Sequence, residues 1–162
     1  MKLIAVAIAG LALGFTLPST AQTPKTPEQI ANLSVRGFAQ FQCASLASAA
    51  KNNQTEPHFN AGYASLHEFL TLARGSKDTT TQKAISDKTP MIVLMALGGP
   101  NIEFEIGVVW SAVNQYVDDE LNDRETWTHQ KEDPKAANVD REVIQMRAEK
   151  QYRDHNCAIL SK

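Results

Sequence analysis

The chain has 162 residues with 16 basic and 18 acidic side chains, so its formal charge is only -2. That near-neutral balance gives no strong field for nucleic acid or an anionic membrane surface, and both are excluded as principal partners. Hydrophobic residues make up 43% of the chain and charged ones 21%, enough for one ordinary domain with a real core and unlike a disordered composition.

Residues 1–21 read as a cleaved export leader. Lys2 precedes an apolar run from Leu3 to Leu17, Pro18 breaks it, and Ser19-Thr20-Ala21 offers small residues to a signal peptidase. The run is about 15 residues, short of the roughly 20 that span a bilayer. Residues 22–162 are then a single helical domain, periplasmic or secreted. Without Lys2 it holds 15 bases against 18 acids. Its longest apolar run, Met91 to Leu97, is too short to insert in a membrane.

Cys43 and Cys157 are the only cysteines. Export to an oxidising compartment favours their pairing over a catalytic thiol at Cys157, although His155 lies two residues away. Closing a loop of roughly 100 residues stabilises by about 4 to 5 kcal/mol in the chain-entropy picture.

The first helix is expected from Thr26-Pro27-Glu28-Gln29, a capping box with proline at the first helical position. Ile30, Leu33, Gly37, Phe41 and Ala44 form its apolar stripe, and Cys43 lies on it. A second helix starts near Thr55 with Phe59, Tyr63, Leu66, Leu70 and Ala73 on one face and Phe69 and Leu72 beside it, ending at Arg74-Gly75. Residues 76–88 read as a polar surface connection with at most one turn near Gln82 to Ile85.

Met91 to Leu97 fits a buried strand or a short helix. The Thr89-Pro90 start and the Gly98-Gly99 stop favour the helix, and no other segment offers a strand partner. Asn101 caps a long helix with the stripe Ile102, Ile106, Val109, Val113, Val117 and Leu121. After an acidic connection, Asp133-Pro134 opens a last helix running to about His155, with Val139, Val143, Met146, Ile144, Ala148 and Tyr152 as its apolar side chains. The class is all-α, five to six helices in one compact unit, with the first and last linked by the disulfide. Phe-x-x-Gly recurs at Phe59–Gly62 and Phe104–Gly107, and both mid-helix glycines are expected at helix crossings.

No motif carries an enzyme. The four histidines, His58, His67, His129 and His155, lack the spacing of a preformed metal pair and are expected at the surface or in caps, so no metal or cofactor is assigned. Glu103 is explained by the first turn of its helix, and Glu105 is expected to be solvated. The strongest local field is the run Asp118, Asp119, Glu120 and Asp123, continued by Glu125, Glu132 and Asp133, with Trp127 inside it. Asp118, Asp119, Glu120, Asp123 and Trp127 are the candidate partner-binding residues, an aromatic anchor in an acidic segment. The expectation is a non-enzymatic periplasmic binding protein of inhibitor or immunity type acting on another exported protein. An envelope stress or chaperone-like protein is the alternative, and a small hydrolase using His67 and Glu68 the third.

Overall fold

The computed structural model describes residues 24–122 and 140–160. Among these the chain is all-helical: α1 (Pro27–Ala49), α2 (Thr55–Gly75), α3 (Thr79–Lys88), α4 (Met91–Ala96), α5 (Ile102–Leu121), α6 (Arg141–Asp154) and α7 (Cys157–Leu160). The expected leader, the start of the last helix at Asp133 and the sites Asp123 and Trp127 lie outside the described residues.

α1 begins where its capping box predicts. The Thr26 side chain accepts from the Gln29 backbone N–H at 3.2 Å, and the Gln29 side chain accepts from the Thr26 N–H at 2.9 Å. The helix is buried on more than one side, because it is the hub against which α2, α3, α5, α6 and α7 all pack. Its stripe Ile30, Leu33, Gly37, Phe41 and Ala44 is buried throughout.

α1 and α2 approach most closely at Gly37 and Gly62. A Cβ on Gly62 would stand 2.5 Å from the Phe41 ring and 3.1 Å from the Gly37 carbonyl oxygen. One on Gly37 would stand 2.6 Å from Leu66 Cγ and 3.2 Å from the Gly62 oxygen. The missing side chains therefore let two backbones touch, as expected for Gly62. Beside this crossing Phe41, Phe59 and Trp110 pack ring on ring, with centroids 5.1 to 5.4 Å apart, and tie α1, α2 and α5 together.

Four elements differ from expectation. The segment expected as a loop is helix α3: Asp78 caps it by accepting from the Thr81 N–H at 2.8 Å, and Thr81 and Ile85 are buried against the core. A polar sequence with two inward side chains carries too little periodicity to read locally. The buried face of α2 is rotated toward His58, Gly62, Ser65, Leu66, Phe69 and Leu70, leaving Tyr63 36% exposed. On α6 the buried side chains are Ala148 and Tyr152, while Met146 is 61% exposed. The short α7 follows α6 as a separate turn and carries Cys157.

The disulfide is formed. Cys43 of α1 and Cys157 of α7 are bonded across 114 positions, both sulfurs inside the core. It clamps the C-terminal helix to the hub. None of the described helices is long and apolar enough to cross a membrane.

Candidate interaction surface

Two buried polar constructions and one exposed face shape what this molecule offers a partner. The first construction surrounds Glu105. Expected in solvent, its side chain is instead 1% exposed. Oε1 accepts from the Gly98 N–H at 2.7 Å, the Gly99 N–H at 2.9 Å and the Arg74 guanidinium at 2.9 Å. Arg74 also donates to the Gly99 carbonyl at 2.9 Å.

A buried carboxylate is tolerable only when charge and donors converge on it, and here they converge on Oε1, while Oε2 is buried with no hydrogen-bond partner among the described residues. The result is a clasp: the turn between α4 and α5, with Gly98 at φ 94°, is tied to the end of α2. α4 is only six residues long and has no side-chain N-cap, so its orientation is set by this clasp and by packing of Val93 and Ala96.

α4 and α5 leave four large apolar side chains in solvent, on α5 among the exposed polar residues Glu103, Ser111, Gln115 and Asp118. Met91 and Met95 stand one helical turn apart, 67% and 71% exposed. On α5, Phe104 and Val108 are also one turn apart, 53% and 38% exposed. Methionine and aromatic side chains are the types enriched at the centres of protein interfaces. Gly107 lies between them on the exposed side, and a Cβ there would meet nothing within 4 Å. The helix crossing expected at Gly107 is not found among the described residues.

The acidic candidates fall at the other end of α5. Asp118, Asp119 and Glu120 occupy its last turn, which has no basic residue. Anions at a helix C-terminus face the negative end of the macrodipole, an arrangement that costs a few tenths of a kcal/mol each. Local bonds temper it. The Tyr116 hydroxyl donates to Glu120 Oε1 at 2.6 Å, and that bond, with burial, pushes the phenol up to about 12. Asn122 donates to the Asp118 carboxylate at 3.1 Å, and Arg147 of α6 donates to the Leu121 carbonyl at 2.8 Å.

The second construction is a hydrogen-bond chain through the core. His58, expected at the surface, is fully buried. Gln40 Nε2 donates to the Leu160 carbonyl at 2.7 Å, so its Oε1 faces His58 Nδ1 at 2.6 Å as an acceptor. The Nδ1–H tautomer follows, leaving Nε2 to accept from the Tyr152 hydroxyl at 2.9 Å. Burial lowers the His58 pKa and raises that of Tyr152. Every member is satisfied with neutral groups, so the chain joins α7, α1, α2 and α6 without a buried charge.

The residues of the hydrolase reading are not brought together. His67 faces Glu103, with Nε2 and Oε1 4.0 Å apart, whereas Glu68 pairs with Lys25 at 3.0 Å. Glu68 and Arg36 flank a groove of about 410 Å³ between α1 and α2, and His67 does not line it. Among the described residues no three His, Cys, Asp or Glu side chains are placed to hold a metal ion.

Sequence reasoning missed the exposure of Met91, Met95, Phe104 and Val108, because each lies in an apolar segment that reads as core. It also missed His58, although His58, Gly62, Leu66 and Phe69 share the helical spacing that marks a buried stripe. Compared with known proteins, the chain matches no family model, no curated protein and no solved structure.

Proposed function

We propose that this chain is an exported, non-enzymatic binding protein of the inhibitor or immunity type, which acts by covering a surface of another exported protein. The observation that carries this reading is the pair Met91 and Met95, two large flexible apolar side chains left in solvent on a helix whose position is fixed by the buried Glu105 clasp. A helix held in advance by a rigid frame loses less backbone entropy on binding, which favours affinity. The leader at residues 1–21 and the disulfide fit an oxidising compartment.

The partner is a protein with an apolar pocket for the methionines and a basic rim. Asp118, Asp119 and Glu120 speed its approach through charge and set the salt dependence of binding. Purification of the tagged chain from the periplasmic or secreted fraction is expected to recover one stoichiometric protein. Met91→Glu with Met95→Glu abolishes recovery, and reversal of the three acids to lysine slows association. Recovery of no partner at any salt concentration overturns the reading.

The envelope stress or chaperone-like alternative draws on His58, whose burial makes the core sensitive to acid. It predicts suppression of aggregation of unrelated proteins, growing as pH falls, with no single stoichiometric partner.

A further inference from the structure

We propose that α6 is an acid-released latch: protonation of His58 breaks its hold on Tyr152, and α6 swings off α1 and α2 about the turn at His155 and Asn156 while the disulfide keeps α7 pinned to α1. This goes beyond the binding reading above and does not rest on it, because it concerns a movement of the chain itself.

The two C-terminal helices are docked by different means. α7 is fixed at both ends: Cys157 is bonded to Cys43, and the Leu160 carbonyl accepts from Gln40 Nε2 at 2.7 Å. α6 has a lighter seat. Among the described residues it buries Ala148 and Tyr152, with Ile144 half-buried beside them, whereas α1 is buried from Ile30 to Ala47. Arg147 reaches the Leu121 carbonyl at 2.8 Å, partly in solvent, where water can replace it on opening. Tyr152 reaches His58 at 2.9 Å inside the core.

The added proton has one place to go. Nδ1 already carries the hydrogen that Gln40 Oε1 accepts, so acid adds to Nε2, at the contact with α6. The Gln40 contact, and through it the hold on α7, is unchanged. The Tyr152 hydroxyl loses its acceptor and must turn its hydrogen away. Burial holds the ring below its usual range, and the new charge meets water only when α6 moves.

No counter-charge is at hand. Tyr152, kept neutral by burial, faces the ring from α6 and the Gln40 amide faces it from α1. A cleft of about 270 Å³ beside Tyr152 is bordered by Glu149 and Arg153, an anion with a cation. The groove beside Gln40 is bordered by Arg36 and Glu68, again one of each. On α2 itself Glu56 is exposed and two positions away, on the opposite side of the helix. Glu105 of α5 is engaged with Arg74, roughly 24 Å further along α2.

The backbone supplies the hinge. His155 and Asn156 are exposed between α6 and α7, and Asn156 has φ 54°, a left-handed conformation that asparagine adopts more readily than most residues. Rotation there leaves Cys157 in place.

The test is amide hydrogen exchange of the disulfide-bonded protein at pH 7.5 and pH 5, corrected for intrinsic rates. Imidazoles titrate in this interval and ordinary carboxylates do not. Amides from Gln145 to Tyr152 are expected to be at least tenfold less protected than those around Phe41, the mark of a separate opening. Their protection should fall about five- to thirtyfold at pH 5, the upper figure corresponding to one proton taken up only by the open form. The fall disappears in His58→Gln and remains in His155→Gln, at the hinge. Tyr152→Phe, which keeps the ring and removes the hydroxyl, lowers α6 protection about two- to tenfold at pH 7.5 and decides the matter should His58→Gln not fold. The Gln40 side-chain amide, which donates to Leu160, stays protected throughout. Amides of α6 as slow as those of α1 overturn the proposal, as does a fall that survives His58→Gln or protection indifferent to Tyr152→Phe. Exchange of the Gln40 amide together with α6 overturns the hinge, since both helices would then leave as one. Each readout belongs to the isolated chain, so failure here leaves the binding reading standing.

Discussion

His58 Nε2 and the Tyr152 hydroxyl lie 2.9 Å apart, joining α2 to α6 across 94 positions of sequence inside the core. The bond requires a neutral imidazole, because Nε2 accepts from the phenol while Nδ1–H donates to Gln40. Protonation would place a charge where no carboxylate bonds to the ring and would turn the second contact from acceptor to donor.

Stability should therefore fall on mild acidification. The folded-state pKa of His58 is depressed by burial below its unfolded value of about 6.5, so above that pH both states are neutral and nothing is lost. Below it the unfolded chain takes up a proton that the folded chain resists, and stability declines by at most about 1.4 kcal/mol per pH unit. Urea unfolding at pH 7.5, 6 and 5 should show this decline in the wild type and a shallower one in His58→Gln. Equal slopes would assign the acid sensitivity elsewhere.

Glycine substitutions should split in sign. Gly62→Ala drives a methyl group into the Phe41 ring and the Gly37 carbonyl, and should cost about 1 to 3 kcal/mol. Gly107→Ala meets open space and gains helix propensity, so dilute protein should gain up to about 1 kcal/mol. Thermal melts at low concentration decide both.

Removal of the staple should be costly. Replacing Cys43 and Cys157 together by alanine releases a 114-position constraint and should lower stability by about 2 to 5 kcal/mol. Denaturant midpoints of the variant, and of the wild type with and without reductant, measure the loss. Agreement between variant and reduced protein would show that the bond, not the packing of the sulfurs, supplies it.

Glu105→Leu should loosen the face that bears the methionines. It strands the Gly98 and Gly99 N–H groups and the Arg74 guanidinium, at an expected cost of about 2 to 4 kcal/mol. Amide exchange at Gly98 and Gly99 should accelerate more than at the Phe41–Trp110 core. Uniform acceleration would mean that the clasp stabilises the whole fold and has no special hold on α4.

Much of the helical frame is legible locally. The capping box at Thr26, the Asn101 cap, whose side chain accepts from the Phe104 N–H at 2.7 Å, and the Ile106–Val113–Val117 stripe are short-range patterns. They lie where nearest-neighbour chemistry puts them. α3 was illegible for the opposite reason: its place depends on two inward side chains and on Ser34 Oγ of α1, 3.0 Å from Thr89 Oγ1 at its end.

The sequence by itself determined the helical class, the start of α1, α2 and α5, and the pairing of Cys43 with Cys157. Caps, periodicity and a count of two cysteines need no knowledge of what lies across the core. Only the tertiary structure decided that Glu105 and His58 are interior, that Met91 and Met95 are not, and that Gly62 is filled by a neighbour while Gly107 is open. A side chain's burial depends on which way its helix is rotated, and that rotation is set by the sum of contacts from other elements. A partial rotation of α2, which keeps Leu66 and Leu70 inside, put His58 in the core and left Tyr63 exposed.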